Sequence, residues 1–161
     1  MTRLIEVDDN DFAWMIDARP STRNGLSLPP DGVESANILQ YLRAMVQRLH
    51  ASDCRSAWMI VAEETVVGLC SFKAPPDAAG AVEIGYGLNA HFRRRGHATR
   101  AIAQLVRAAC DDQNVKLLKA EIAVDNIASR RVVEANGFVR RGTRLDAEDG
   151  ELVLWERSVD G

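Results

Sequence analysis

The chain has 161 residues, 47% of them hydrophobic and 27% charged, with a formal net charge of −3. That length and apolar content suffice for one substantial core, so a single domain over residues 1–161 is expected, and the near-balanced charge makes a nucleic-acid partner unlikely on composition. Three widely spaced cysteines, Cys54, Cys70 and Cys110, lack metal-ligand or Cys-x-x-Cys spacing. No apolar window is long enough to span a bilayer and the N-terminus carries no signal-peptide run, so a cytoplasmic chain with reduced thiols, no metal and no membrane contact is expected.

In chain order, residues 3–7 alternate as a first strand, and Asp8 or Asp9 caps a short helix through Asp17 that places Phe12, Met15 and Ile16 on one face. Residues 18–32 are rich in turn formers and read as a long loop. Asp31 with Glu34 reads as a capping box, followed by a helical stripe of Ile38, Leu42, Met45 and Leu49 to about His50. Residues 55–62 and 65–73 form two strands of a hairpin turning at Glu63 and Glu64.

Residues 81–88 form the next strand, with Val82, Ile84, Tyr86 and Leu88 on one face, and Gly85 and Gly87 signalling a bulge or a close backbone approach. The pattern then turns helical: Ala98, Ala101, Ile102, Leu105, Val106 and Ala109 are apolar, whereas Arg100, Gln104 and Arg107 are polar. Arg93, Arg94, Arg95 and Gly96 therefore sit where unpaired helix amides and the positive end of the dipole favour an anion. Residues 116–124 give another strand and residues 127–136 a second amphipathic helix, stopped at Gly137 with Phe138 folding back on it. Residues 139–145 and 151–158 complete a terminal hairpin. The order β-α-α-β-β-β-α-β-α-β-β implies an α/β fold on a mixed sheet.

Two motifs identify a family resemblance. Arg93-x-x-Gly96-x-Ala98 resembles the pyrophosphate loop of the Gcn5-related N-acetyltransferase superfamily, with the strand before and the helix after it that this family has. Asn126-x-x-Ser129-x-Arg131-x-x-Glu134-x-x-Gly137-Phe138 is similar to a second signature of the branch that includes ribosomal-protein N-terminal acetyltransferases. The resemblance covers residues 81–138 well and the N-terminal part only by element order.

The resemblance implies the acyl-CoA N-acyltransferase fold, with a splayed central strand pair, flanking helices and acetyl-CoA as co-substrate. On this reading Gly87 and Leu88 offer backbone partners to the pantetheine arm. Arg93, Arg94, Arg95, Gly96, His97, Ala98 and Thr99 hold the pyrophosphate, and Asn126 with Ser129 line the far wall. The acceptor is a primary amine, either a protein N-terminus or a small molecule, attacking the thioester directly in a ternary complex. Its specificity is expected from the 18–32 loop, the following helix and the terminal hairpin, and a homodimer through terminal strands is compatible with such folds.

Glu83, facing opposite to Ile84 and Tyr86, is the candidate base, and a backbone amide near Leu88 the candidate partner of the thioester carbonyl. Many relatives supply a tyrosine as acid where this chain has Val133; Ser129 is the nearest substitute and Tyr86 the next. Plainer roles stand beside these: Glu83 as an ion-pair partner, Asn126 as a helix cap, and His97 giving only its backbone amide while its side chain is solvated. The alternative to an enzyme is a non-catalytic acyl-CoA-binding or sensing module.

Overall fold

The computed structural model describes residues 1–17, 19–54 and 56–159. Ala18, where the long loop was expected to begin, and Arg55, the expected first residue of the second strand, lie outside the described residues. The elements are β1 (Thr2–Glu6), α1 (Asp9–Asp17), α2 (Ala36–Ala51), β2 (Ala57–Ala62), β3 (Thr65–Phe72), β4 (Ala81–Leu88), α3 (His97–Cys110), β5 (Leu117–Ala123), α4 (Ile127–Ala135), β6 (Val139–Asp146) and β7 (Gly150–Ser158), with one 3-10 turn at Ala90–Phe92. The expected order is therefore present, with the short turn added between β4 and α3.

The seven strands make one mixed sheet in the order β1-β2-β3-β4-β5-β7-β6, antiparallel throughout except where β4 meets β5. One buried cluster joins Ile102 and Leu105 of α3 and Val133 of α4 to Ile60, Val82 and Leu118 on one face of the sheet. The other joins Phe12 and Met15 of α1 and Leu39 and Val46 of α2 to Met59, Val61 and Val66. Covered on both faces, β2 is buried along its whole length, which is why its sequence AWMIVA is continuously apolar rather than alternating. Among the described residues, no helix is long and apolar enough to cross a membrane.

The start of α2 differs from expectation. Its cap is Ser35, whose hydroxyl accepts the Ile38 N–H at 3.3 Å, and Asp31 and Glu34 lie outside the helix. The inward stripe is turned accordingly: Leu39, Met45, Val46 and Leu49 are buried, while Ile38 is 46% exposed. α4 ends as expected, because Gly137 takes φ +80° and the Gly137 and Phe138 N–H groups return to the Glu134 and Val133 carbonyls.

Two glycine substitutions separate backbone strain from overlap. Gly137→Ala is expected to cost about 1 kcal/mol, since an added Cβ meets only Arg157 Nε at ordinary contact and the penalty is that of the left-handed backbone. Gly68→Ala is expected to cost more, about 1–3 kcal/mol, because the Cβ would overlap the Gly87 carbonyl oxygen across β3 and β4. Urea unfolding of both variants measures the difference.

Candidate functional site

β4 stays paired with β3 from Ile84 to Leu88, and β5 stays paired with β7 from Leu117 to Ala123. Between β4 and β5, however, the parallel ladder comprises only Ala81 with Leu117, Val82 with Leu118 and Glu83 with Lys119. Beyond Glu83 the two strands part, and a gap opens between their facing edges.

The backbone that lines this gap follows from alternation. The Lys73 N–H donates to the Glu83 carbonyl and the Asn89 N–H to the Val67 carbonyl, within an unshifted antiparallel register. Hydrogen-bonded pairs recur every second residue, so Gly85 and Gly87 direct their amides and carbonyls at β3, whereas Tyr86 and Leu88 direct theirs into the gap. This corrects the expectation for Gly87: Tyr86 and Leu88 are the strand residues whose backbone groups face the gap. Arg93 Nε donates to the Leu88 carbonyl at 3.3 Å, leaving the Leu88 N–H pointing into the opening.

The far wall is the first turn of α4. Asn126 caps it, its side-chain oxygen accepting the Ser129 N–H at 3.1 Å. The Tyr86 hydroxyl crosses from β4 to donate to the Ser129 carbonyl at 3.1 Å. Burial pushes the Tyr86 phenol above its ordinary value, so it is a proton donor at neutral pH. Val133 is fully buried in the core behind this wall.

At the mouth of the gap, Arg94 and Gly96 both take left-handed backbone, with φ of +65° and +80°. They turn the chain so that α3 begins at His97 with no side-chain cap. Its first internal bond is from the Arg100 N–H to the Gly96 carbonyl at 3.1 Å, so the His97, Ala98 and Thr99 amides have no partner within the helix. Arg95 lies over the Phe92 ring at 5.4 Å and Arg94 is exposed.

The His97 ring is not solvated as expected. Thr2 Oγ1 accepts from Arg100 Nε at 3.0 Å and stands 2.9 Å from His97 Nδ1, and Arg100 Nη2, which can only donate, lies 3.3 Å from the same nitrogen, so Nδ1 is an acceptor and the imidazole is neutral, with its proton on Nε2. Burial first, then Arg100 and Arg95, holds His97 below its ordinary value, in agreement with that tautomer. Arg100 also donates to the Arg95 carbonyl at 2.9 Å, so one side chain gathers the loop and ties it to β1. Asn136, which sequence reasoning passed over, donates to the Thr99 carbonyl at 3.2 Å and the Val132 carbonyl at 2.9 Å, joining the start of α3 to the end of α4.

On the opposite face of β4 lies a cavity of about 340 Å³, floored by Gly85 and Gly87 and walled by α2 and the segment before it. That segment is pinned by Asn89, a buried residue also missed from sequence, whose side-chain amide donates to Asp31 Oδ1 at 3.0 Å and the Gly32 carbonyl at 2.7 Å. The Asn89 bond holds the Asp31 carboxyl below its usual range. Glu83 stands at the closed end of the gap, with its carboxylate 3.0 Å from Lys73 Nζ. Lys73 lines the cavity and Glu83 does not.

The acetyltransferase (GNAT) domain family matches residues 2–139. The chain is 28% identical over 119 residues to the uncharacterised N-acetyltransferase YjdG of Bacillus subtilis, covering 73% of this chain and 68% of that protein. It is 27% identical over 100 residues to the ribosomal-protein-serine acetyltransferase of Escherichia coli, covering 62% and 56% respectively. Among solved structures it resembles the ribosomal-protein acetyltransferase RimL in complex with coenzyme A, with a TM-score of 0.76 and 19% identity over 99% of this chain and 94% of that one. It also resembles the microcin C7 self-immunity acetyltransferase MccE bound to acetyl-CoA and AMP, with a TM-score of 0.69 and 18% identity over 98% and 92%. At these identities the structural likeness speaks for the fold.

Neutral His97 gives a pH signature. Its folded-state affinity for a proton is below the ordinary value of 6.5, so the unfolded chain binds more protons as pH falls past that point. The resulting stability is fully present above pH 6.5 and is lost as pH drops toward the lower folded value. His97→Asn, which keeps an acceptor but does not titrate, is expected to flatten that part of the stability curve in urea unfolding at a series of pH values.

Proposed function

The chain belongs to the acetyltransferase (GNAT) domain family, and on that premise we propose that residues 1–161 act as one domain moving the acetyl group of acetyl-CoA to a primary amine. The observation that carries this reading is the early end of the β4–β5 ladder beside the uncapped start of α3. An extended pantetheine fits a gap that offers strand amides and carbonyls, and a diphosphate fits amides at a helix start. Both are provided here by backbone.

In this mechanism the His97, Ala98 and Thr99 amides hold the diphosphate, with Arg94 adding charge from the exposed side of the loop. Tyr86 and Leu88 pair with the pantetheine arm, and the Leu88 N–H hydrogen-bonds the thioester carbonyl, favouring the negative charge that gathers there as the amine adds. Alignment of the two substrates supplies most of the remaining acceleration. Protonation of the departing sulfur is assigned to Tyr86 ahead of Ser129, because the phenol spans from β4 to the first turn of α4 and carries the proton it gives to the Ser129 carbonyl. Glu83, expected as the base, is assigned to holding Lys73 at the cavity wall, because its carboxylate is engaged there.

Gly96→Trp puts a large side chain on a residue of φ +80° whose Cβ would already lie 2.7 Å from an Arg100 nitrogen. Coenzyme A binding by calorimetry is expected to be lost while circular dichroism shows a folded chain; unchanged binding would reject the diphosphate site. Tyr86→Phe is expected to lower kcat by about 10-fold with little change in acetyl-CoA affinity. The loss is modest for proton transfer because a thiol of pKa about 8.5 leaves readily. Tight acetyl-CoA binding without thiol release in the presence of any amine makes the chain an acyl-CoA-binding module, the reading that Val133 in place of a tyrosine favours.

A further inference from the structure

The cavity on the α2 face of β4 has its own chemistry. At about 340 Å³ it sits at the low end of small-molecule sites, roughly 300–1,000 Å³. Its walls are mainly apolar, with Phe12, Val33, Leu42, Met45 and Leu69, and its polar lining side chains are Glu34, Tyr41, Ser71, Lys73 and Tyr86. Among the described lining residues the one carboxylate is Glu34 and the one cationic side chain is Lys73, which Glu83 already engages.

Glu34 immediately precedes α2, where the helix dipole favours an anion, and its Oε1 accepts the Ser35 N–H at 3.1 Å. It makes no ion pair among the described residues. Its other oxygen lies 3.7 Å from where a Cβ on Gly87 would stand. The carboxylate therefore hangs over β4 one residue from Leu88, whose amide points into the gap.

We propose, resting on the acetyltransferase reading above, that Glu34 receives and deprotonates the acceptor's ammonium, and that the acceptor carries a single positive charge on an apolar body. Polycationic acceptors need several carboxylates, and this cavity offers one beside a lysine. Hydroxyl-rich amino sugars need polar partners all round, whereas Tyr41 and Ser71 are the hydroxyl side chains here beside Phe12, Val33, Leu42, Met45 and Leu69, and the Tyr86 hydroxyl is given to the Ser129 carbonyl. An amine on an aromatic or aliphatic group satisfies both halves of the site.

The step balances as follows. One ammonium proton passes to Glu34 and from there, at the exposed rim, to solvent. The neutral amine forms the nitrogen–carbon bond to the thioester carbonyl, the carbon–sulfur bond breaks, the departing thiolate takes the Tyr86 proton, and the second nitrogen proton restores the phenol through solvent. The products are an amide, a free thiol and one proton in solution.

The test is thiol release from acetyl-CoA with phenethylamine, a leucine-initiated peptide, spermidine and kanamycin as acceptors, alongside acetyl-CoA calorimetry. Phenethylamine or the peptide is expected to give the highest kcat/KM, and which of the two leads distinguishes a free amine from a protein N-terminus. Glu34→Gln is expected to lower that kcat/KM by about 100-fold with unchanged acetyl-CoA affinity and thermal midpoint, the deficit shrinking as pH rises and free amine accumulates. Glu34→Asp is expected to recover part of the loss.

A preference for spermidine or kanamycin, a Glu34→Gln enzyme within threefold of the parent, or a larger loss from Glu83→Gln would overturn the inference while leaving the acetyltransferase intact. Failure of the parent protein to bind acetyl-CoA would overturn both.

Discussion

The structure depends on a competition that β4 and β5 each settle in favour of another partner. β4 is held by β3 as far as Leu88, and β5 by β7 as far as Ala123, while their own contact stops at Glu83 and Lys119. Antiparallel ladders on the outer edges are slightly more stable per residue than the parallel ladder between them, and each outer half of the sheet twists with its own partner. The central pair is the natural place for the sheet to open. Backbone groups left unpaired there are costly where they are buried. Within the protein, Arg93 meets part of that need by donating to the Leu88 carbonyl, and Tyr86 spans the opening to the Ser129 carbonyl of α4.

For the proposed diphosphate site a gap alone is not enough; the start of α3 must also be fixed relative to it. Three polar side chains of α3 reach β1. Gln104 accepts the Leu4 N–H at 3.1 Å and donates to the Thr2 carbonyl at 2.7 Å, imitating a further strand along the free edge of the sheet. His97 and Arg100 converge on the Thr2 hydroxyl. Asn136 adds the tie to α4. Each bond contributes about 1 kcal/mol at most in isolation, but all act on one turn, so the loop amides are oriented before any ligand arrives. The left-handed backbone at Arg94 is tolerated inside that frame, at a cost of about 1–2 kcal/mol.

Much of the fold was legible because its signals are local. The apolar stripe of α3, the glycine stop of α4 and the alternation of β4 each follow from spacing within a few residues, and the bounds of β4 came out as read. What escaped lay between distant segments. Asp31 and Glu34 have the spacing of a capping box, yet Asn89, 58 residues from Asp31, claims the aspartate and shifts the cap to Ser35. His97 looked solvated because nothing near it in sequence reveals Thr2 as its partner. Gly87 was misread for a subtler reason: a strand sequence shows which face a side chain takes, but which edge its amide takes depends on the register with β3.

On the proposed reading, that last distinction lets one strand serve two substrates. Along β4, even-numbered residues turn their amides into the gap and their side chains toward α3, while odd-numbered residues turn their amides to β3 and their side chains toward α2. At positions 85 and 87 the odd side chains are absent, and a Cβ on Gly85 would press on Lys73 at 2.9 Å. On that reading, the missing side chains leave room for an acceptor against the strand, next to the Leu88 amide assigned to the donor. Donor recognition would then rest mainly on backbone, which any sequence of this fold supplies, and acceptor recognition on side chains such as Glu34 and Phe12, which are particular to this chain. The family therefore identifies the donor readily, whereas the acceptor has to be argued from the cavity itself.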